Sequence, residues 1–138
     1  MATPVTDIYE IFLSQIGKDI MLELSNEIVD DLLYNYLLGA TVEFSYYCNK
    51  DLSIKDGNVV GDLELDEKFI LSRGMILYWL QPKINTQEVI KNRITDGDYV
   101  IKSPANLLDK LLKLKLSSES DMKKRIIKYT HKGRNINE

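Results

Sequence analysis

Apolar residues recur at helical spacing near the start of the chain. Ile8, Phe12 and Ile16 follow one another at intervals of four, which predicts a short helix over about 7–16 with a narrow apolar stripe. Such a stripe has to be covered by another element or by another molecule. We therefore interpret these three residues as a candidate contact between subunits.

A second helix is predicted from Ser25, a candidate N-cap, to about residue 47. Its apolar face comprises Ile28, Leu32, Leu33, Tyr36, Leu37, Ala40, Phe44 and Tyr47. Gly39 lies inside this face, although a glycine in a helix costs about 1 kcal/mol relative to alanine. We expect the missing side chain to let another helix approach closely.

The third predicted helix, over about 67–80, is apolar on almost every side. Asp66 is its candidate N-cap. Its apolar residues are Phe69, Ile70, Leu71, Met75, Ile76, Leu77, Trp79 and Leu80. A helix with this pattern is typically central and buried. Pro82 disfavours helical geometry at Gln81, so we expect the helix to end there and a short helix to follow over 85–93.

The C-terminal helix has the clearest predicted start. Ser103 is a candidate N-cap, and Pro104 follows at the first helical position. Apolar residues then recur at Ala105, Leu108, Leu111, Leu112, Met122, Ile126 and Tyr129. A continuous helix through these positions would span about 25 residues, or roughly 40 Å. Ser117 and Ser118 mark the place where it could bend or divide.

Residues 49–64 form a predicted loop that contains three aspartates, two glycines and two asparagines. A short strand over 58–60 is the regular element indicated within it. The acidic residues of this region are Asp51, Asp56, Asp62, Glu64, Asp66 and Glu67. They lack the spacing of an EF-hand, so a solvated acidic loop is favoured over a divalent-cation site.

These elements predict a mainly α fold, a small bundle of about four to five helices forming one domain over residues 1–138. Residues 1–24 are interpreted as an N-terminal helix or arm, and residues 117–138 as a basic C-terminal docking segment. Apolar residues make up 44% of the chain and charged residues 28%, as in ordinary soluble domains. No apolar run approaches the ~18–20 residues that cross a membrane, so we expect a soluble protein made in the cytoplasm.

The net charge of −3 hides a strong asymmetry along the chain. Residues 1–101 contain 8 Lys or Arg and 17 Asp or Glu, for a net charge of −9. Residues 102–138 contain 10 Lys or Arg and 4 Asp or Glu, for a net charge of +6. This division suggests two surfaces with different roles.

One histidine and one cysteine leave few catalytic or metal-binding constellations open. His131 lies among lysines near the C-terminus, where we expect an exposed tail residue rather than a general base. Cys48 has no histidine partner in prospect, so we expect a small buried apolar residue rather than a nucleophile. Gly57 and Gly61 do not form a phosphate-binding loop. We predict no enzymatic activity, no metal and no cofactor.

Residues 123–134 are the stretch most indicative of binding. The candidate partner-binding residues are Met122, Lys123, Lys124, Arg125, Ile126, Ile127, Lys128, Tyr129, Lys132 and Arg134. One interpretation is contact with nucleic acid or an acidic protein surface. The other is a solvated helix end whose charges complement the helix dipole. The interleaved apolar residues favour a protein groove over bare phosphate.

Six segments carry a resemblance to a known family. They are Leu38–Phe44 (LGATVEF), Cys48–Leu52 (CNKDL), Leu63–Glu67 (LELDE), Ile70–Asn85 (ILSRGMILYWLQPKIN), Ser103–Leu108 (SPANLL) and Tyr129–Asn135 (YTHKGRN). In this order and spacing they resemble the head-to-tail connector proteins of tailed bacteriophages, also called neck adaptors or head-completion proteins. The resemblance extends over about residues 7–135.

The resemblance implies a small helical protein without enzymatic activity, located in the neck of the virion. Family members form a ring, usually of twelve copies, beneath the portal protein. The ring extends the DNA channel and docks the next neck or tail-completion protein, and DNA passes through it as non-specific cargo. By analogy, residues 122–134 would contact the portal protein. An acidic channel lining would repel phosphates, which offers an account of the charge of residues 1–101.

The alternative function is a small nucleic-acid-binding regulator that uses the basic C-terminal helix. It predicts an affinity for duplex DNA that falls steeply with salt. The overall negative charge counts against it. An enzyme is a third and less favoured class, because the chain carries no catalytic motif.

Overall fold

The computed structural model describes residues 2–16, 26–95 and 102–136. Its three short strands are β1 (Thr3–Pro4), β2 (Ile54–Lys55) and β3 (Asn58–Val59). Its helices are α1 (Val5–Ile16), α2 (Asn26–Ser45), α3 (Leu65–Thr95) and α4 (Lys102–Ile136). The described part of the chain is therefore mainly helical with a long C-terminal helix, which confirms the predicted fold class. Ser25 lies outside the described residues.

Helix α3 is the centre of the bundle, because α1, α2 and α4 all pack against it. Its buried side chains are Ile70, Leu71, Met75, Ile76, Trp79, Leu80 and Ile84. Helix α2 contributes Leu33, Leu37, Ala40 and Phe44. Full burial of an aliphatic or phenyl side chain contributes about 1.5–3 kcal/mol. The prediction of a central, buried third helix is confirmed, whereas Tyr47 lies beyond α2 and is exposed.

Two glycines set the distance between α2 and α3. A Cβ added to Gly39 would lie 2.6 Å from Cζ of Tyr78. A Cβ added to Gly74 would lie 2.9 Å from Cβ of Ala40. Neither position has room for a side chain unless the neighbour moves. At Gly39 the space is filled by the ring of Tyr78, whereas Gly74 lies against Ala40 of α2, so the expected close approach of a helix at Gly39 is made by a side chain of α3.

Helix α3 continues through Pro82 to Thr95, so the expected end at Gln81 and the separate helix over 85–93 are wrong. Pro82 lies on the exposed side of α3, where water can bind the backbone carbonyl that lacks a partner N–H. Trp79 before it and Ile84 after it are both buried in the core. A proline inside a helix costs about 3 kcal/mol, an amount that the packing of such side chains offsets.

The start of α3 is capped by Glu64 rather than by Asp66. The carbonyl of Glu64 accepts a hydrogen bond from the N–H of Lys68 at 3.0 Å, which makes Glu64 the N-cap residue. The side chain of Glu67 turns back and accepts from the N–H of Glu64 at 2.7 Å, as in a capping box. Asp66 lies inside the first turn, where its Oδ1 accepts from the N–H of Glu67 at 2.9 Å.

Part of the predicted loop over 49–64 is a β-hairpin. Strands β2 and β3 pair antiparallel, with Ile54 opposite Val59. Asp56 and Gly57 connect them with φ values of 52° and 76°. Two positive φ values are the requirement of a type I′ turn, for which Asp-Gly is a preferred pair. The dipeptide was the signal for the hairpin, and the expected strand over 58–60 is its second half.

The N-terminus joins this hairpin as a third strand in the order β1-β3-β2. Thr3 is buried, and its hydroxyl donates to the carbonyl of Gly61 at 2.9 Å. The same oxygen accepts a hydrogen bond from the N–H of Leu63 at 2.8 Å. Of the two interpretations of residues 1–24, a helix or an arm, the helix is present as α1, and residues 3–16 are tied into the fold. Residues 17–24 lie outside the described residues.

The apolar stripe of α1 packs inside the chain. Ile8 and Phe12 are fully buried, and the ring of Phe12 meets Trp79 edge-on with 6.3 Å between the ring centroids. Ile16 is half-buried against the same core. The interpretation of Ile8, Phe12 and Ile16 as a subunit contact is wrong for the two buried residues, because α3 already covers them.

Helix α4 runs without interruption from Lys102 to Ile136, so Ser117 and Ser118 do not divide it. It begins one residue before the predicted N-cap, Ser103. Ser118 is fully buried, since it lies on the side of α4 that packs against α3. At 1.5 Å per residue the helix is about 50 Å long. Its outer side therefore presents an extended surface.

Candidate partner-binding surface

The second half of α4 presents much of the predicted basic segment to solvent. The α4 basic face consists of Lys123, Lys124, Ile127, Lys128 and His131, all of which are exposed. They follow the spacing i, i+1, i+4, i+5 and i+8, which places them on one side of a helix. Within the described ranges, the three lysines have no salt-bridge partner. Their charges are therefore available to an external anion.

Three predicted partner-binding residues instead face the core. Met122 is buried, and Ile126 and Tyr129 are partly buried against the hydrophobic core. The ring of Tyr129 lies 5.3 Å from that of Phe44, measured between centroids, in an edge-on arrangement. The assignment of Met122 and Tyr129 to a partner is therefore wrong, whereas Ile126 also lines an open groove beside α2. The helical period separates them from the basic face, because they lie on the opposite side of α4.

Arg125 is also held within the chain. Its Nε lies 2.7 Å from Oδ2 of Asp121, which in turn lies 2.8 Å from Nε of Arg73 on α3. Its guanidinium lies 4.9 Å from the ring centroid of Phe69. Burial opposes the ionisation of Asp121, but the hydrogen bond from Arg125 and the two positive charges outweigh it and lower the pKa of this carboxyl. Arg125 therefore joins α4 to α3.

Lys132 lies at the end of the basic segment and contacts the start of α3. Its Nζ is 3.5 Å from Oε2 of Glu64 and 3.9 Å from Oδ2 of Asp66. The carboxylates of these two residues and of Glu67 lie within 4.8 Å of one another. Lys132 and Lys50 offset the negative charge, so ion pairing accounts for this acidic cluster. The side chain of Arg134 lies outside the described residues.

Glu67 is the polar centre that fastens α4 to the rest of the fold. It is 1% exposed, which contradicts its expected place in a solvated acidic loop. Its Oε1 accepts a hydrogen bond from Nζ of Lys50. Its Oε2 accepts one from the hydroxyl of Tyr129 at 2.8 Å and lies 3.6 Å from Sγ of Cys48. The buried carboxylate therefore connects α3 and α4 with the segment that follows α2.

The surroundings of Glu67 determine how this group titrates. Burial opposes its ionisation, but the N–H of Glu64, the ammonium of Lys50 and the hydroxyl of Tyr129 outweigh it, so the pKa of Glu67 is lowered. Burial and the adjacent carboxylate raise the pKa of both Tyr129 and Cys48. Cys48 is therefore a buried, neutral thiol, as the sequence suggested, and its environment is not that of an activated nucleophile.

Helix α2 exposes a surface of the opposite charge. Asp30, Asp31 and Glu43 are exposed on it, and the span 26–45 contains no Lys or Arg. Between these acids lies an apolar row that we call the α2 stripe: Tyr34, Leu38, Val42 and, in the following turn, Tyr46. The spacing of four residues was visible in the sequence. The predicted apolar face of this segment does not include the row, because the opposite side of the helix carries the larger apolar face.

A groove with a volume of about 530 Å³ lies between α2 and α4. Its apolar lining includes Leu77 of α3 and Met122 of α4. Glu43, Glu119 and Lys123 provide charged groups along it. Neither His131 nor Cys48 lies in this lining.

Comparison with known proteins returned no matching family model, curated protein or solved structure. In the described part of the chain, no helix is long and apolar enough to cross a membrane.

Proposed function

We propose that this protein is a head-to-tail connector of a tailed bacteriophage, forming a ring beneath the portal protein. The ring would extend the DNA channel and dock the next neck or tail-completion protein. Three features support the proposal: the resemblance of the six sequence segments, the mainly helical fold that this resemblance implies, and the separation of positive and negative charge between two surfaces.

The charge separation is the observation that carries the proposal. Helix α2 exposes only acidic charges between residues 30 and 45, whereas the α4 basic face exposes three lysines within six residues. Negative charge near a channel repels DNA phosphates and so lets DNA slide without adhering. Unpaired lysines on a rigid helix suit attachment to an acidic surface of another protein. One molecule thus has a surface for each task.

Exposure and ion pairing reduce the set of residues that we propose to bind the portal protein. Of the ten residues predicted to bind a partner, Lys123, Lys124, Ile127 and Lys128 combine exposure with no salt bridge to another described residue. Arg125 is excluded from a charge-reversal test, because its loss would disturb Asp121 and the contact with Phe69. The pair Lys124 and Lys128 lies one helical turn apart and makes a compact target.

Electron microscopy of the protein with and without purified portal rings of the same phage tests the proposal. We expect additional density stacked on the portal for the unchanged protein. The Lys124→Glu/Lys128→Glu variant should lose this density and should fail to bind in a pull-down with the portal rings. A Lys55→Glu/Lys110→Glu variant carries the same change of charge on exposed residues elsewhere and should bind normally. Portal rings that stay bare with the unchanged protein would overturn the proposal.

A nucleic-acid-binding regulator is the second candidate, and the three exposed lysines of the α4 basic face favour it. It predicts binding to duplex DNA with an affinity that falls steeply as salt increases. Neutralising Lys124 and Lys128 should then reduce the slope of that salt dependence by about two phosphate contacts. Tight DNA binding together with bare portal rings would replace the connector proposal with this one.

A further inference from the structure

Helices α2 and α4 flank α3 and leave an open groove between them. The groove of about 530 Å³ adjoins a second pocket of about 410 Å³. The two share Glu43 of α2, Leu77 of α3, and Glu119 and Met122 of α4, so they form one continuous groove. Both flanking helices pack on α3, and in the described part of the chain they pack much less on each other. The position beside α3 between them is therefore open to a further helix.

The floor of this groove is apolar. Leu77 and Met122 line both pockets, and Leu116 and Ile126 extend the apolar lining along α4. Leu116 is 65% exposed although it lines a concave site, so a partner that covers it gains hydrophobic stabilisation. The lining from position 115 to 126 extends about 16 Å along α4, or three helical turns.

The charged residues of the groove follow a definite order along α4. Lys115, Glu119 and Lys123 recur at intervals of four residues, so they lie one turn apart on the same side of the helix. Glu43 and Glu119 line the part common to both pockets, whereas Lys115 lines only one pocket and Lys123 only the other. Negative charge is therefore central in the groove, and a positive charge lies at each end.

These charges are only weakly paired within the chain. One oxygen of Glu119 lies 3.9 Å from Nζ of Lys115, and one oxygen of Glu43 accepts a hydrogen bond from the hydroxyl of Tyr78 at 3.4 Å. Lys123 has no salt bridge to another described residue. Exposed ion pairs of this length contribute little to stability, so a partner can replace them at small cost.

The walls of the groove also favour one conformation for an occupant. They consist mainly of helices, whose backbone N–H and C=O groups bond within the helix. An extended segment would leave the backbone groups that face the apolar floor without partners, whereas a helix pairs them internally. An amphipathic helix in a groove is a recurrent mode of recognition. Nucleic acid is disfavoured, because two central carboxylates repel its phosphates.

We propose that this groove binds an amphipathic helix of another protein, about three turns long, with its apolar side on the floor of the groove. Beside that apolar side the helix carries an acidic, a basic and an acidic residue, one turn apart. The acids meet Lys115 and Lys123, and the base lies between Glu43 and Glu119. Opposite charges at each place select this pattern over its inverse. The inference goes beyond the connector function, since the binding is measured without a portal protein.

Two labelled synthetic peptides test the pattern by fluorescence anisotropy. Both form a helix with the same row of leucines, beside which one peptide carries Glu, Arg and Glu at successive turns and the other carries Lys, Glu and Lys. We expect the first to bind the unchanged protein about tenfold more tightly than the second. The Lys115→Glu/Glu119→Lys/Lys123→Glu variant inverts the charges of α4 and keeps their alternation, so its preference should be reversed.

Matched apolar changes locate the site of binding. Leu116→Asp should abolish the binding of both peptides, because it places a charge on the apolar lining. Leu65→Asp changes a leucine of the same 65% exposure outside the groove, and it should bind like the unchanged protein. Leu38→Asp, in the α2 stripe, should also bind normally. Circular dichroism and thermal unfolding should show that all variants remain folded.

The inference is overturned if neither peptide binds, if both bind equally, or if the charge-inverted variant keeps the original preference. Loss of binding in Leu38→Asp but not in Leu116→Asp would also overturn it, because the peptide would then lie on the α2 stripe. Self-association of the unchanged protein that Leu116→Asp abolishes would assign the groove to a second copy instead.

The groove and the connector function can fail separately. Portal rings that stay bare while the peptide preference holds reject the connector function alone. Stacking on portal rings without any peptide preference rejects the groove alone, because the Lys124→Glu/Lys128→Glu variant leaves the lining of the groove unchanged.

Discussion

Helices α1 and α2 both carry apolar residues at intervals of four, yet the two rows have opposite fates. In α1, Ile8 and Phe12 are completely buried. In α2, Leu38 and Val42 retain 38% and 59% of their exposure. The same spacing therefore indicates a stripe on a helix without indicating whether the chain itself covers that stripe.

The difference arises from which side of each helix packs against α3. Helix α1 has a single apolar side, and β1 ties its start to the hairpin, so that side lies on Trp79. Helix α2 has two apolar sides, and the one with Leu33, Leu37 and Phe44 fills the core. Its other side, the α2 stripe, is exposed in the described part of the chain.

The largest expected loss of stability comes from a substitution in the buried row of α1. Phe12→Ala should lower the free energy of unfolding by about 3–5 kcal/mol, because it leaves a cavity beside Trp79. The matched change in the exposed row, Tyr34→Ala, should cost less, about 1–2 kcal/mol, because Tyr34 is 42% exposed. Chemical denaturation of the two variants measures both values. Equal losses would show that the two rows do not differ as described.

A second test extends the comparison from apolar residues to carboxylates. Glu67→Gln should cost about 1–3 kcal/mol, because Lys50 and Tyr129 lose a buried anionic acceptor. Glu64→Gln, at an exposed position nearby, should cost much less. Denaturation at neutral pH, with each variant compared with the unchanged protein, provides the two values.

The same carboxylate predicts a dependence of stability on pH. The pKa of Glu67 in the folded protein is lowered from its ordinary value of 4.5. Its contribution is therefore complete above about pH 4.5 and is lost as the pH falls through the lowered folded pKa. Glu67→Gln should flatten the acid limb of a plot of unfolding free energy against pH. An unchanged limb would show that Glu67 does not carry this dependence.

A smaller change in stability is expected where Gly39 of α2 contacts Tyr78 of α3. Gly39→Ala should destabilise the protein by less than about 1 kcal/mol, because the roughly 1 kcal/mol that alanine gains over glycine in a helix offsets part of the cost of displacing the ring of Tyr78. Adding Tyr78→Ala should recover most of the loss, because it removes the overlapping ring. A double-mutant cycle measures this coupling. Strictly additive losses would mean that the ring is not what excludes a side chain at position 39.

The smallest expected change in stability comes from a substitution in the exposed row of α2. Val42→Ser should alter the free energy of unfolding by less than about 0.5 kcal/mol, because Val42 packs on little within one copy. Thermal unfolding of the variant and of the unchanged protein measures this difference. A large loss of stability in dilute protein would place Val42 in the core and remove it from the α2 stripe.

The sequence predicted several features of the fold from local physics. The central position of α3 followed from its apolar residues on all sides, and a contact at Gly39, made by the ring of Tyr78, followed from a glycine inside an apolar face. The break expected at Pro82 was wrong, because the local cost of a proline is smaller than the packing gained around Trp79 and Ile84. The β-hairpin was within reach of sequence reasoning through Asp56 and Gly57. Its third strand was not, because Thr3 pairs with residues more than fifty positions away.

For the candidate partner-binding surface, too, some features followed from the sequence and others only from the tertiary structure. The sequence by itself determined that residues 102–138 are basic, that the chain has one histidine and one cysteine, and which residues share a helix face. Only the tertiary structure decided that Tyr129 and Arg125 face inward while Lys124 and Lys128 face outward. It likewise decided that the row of α1 is covered and that of α2 is open. Helical period assigns residues to sides, but which side is buried depends on contacts between distant parts of the chain.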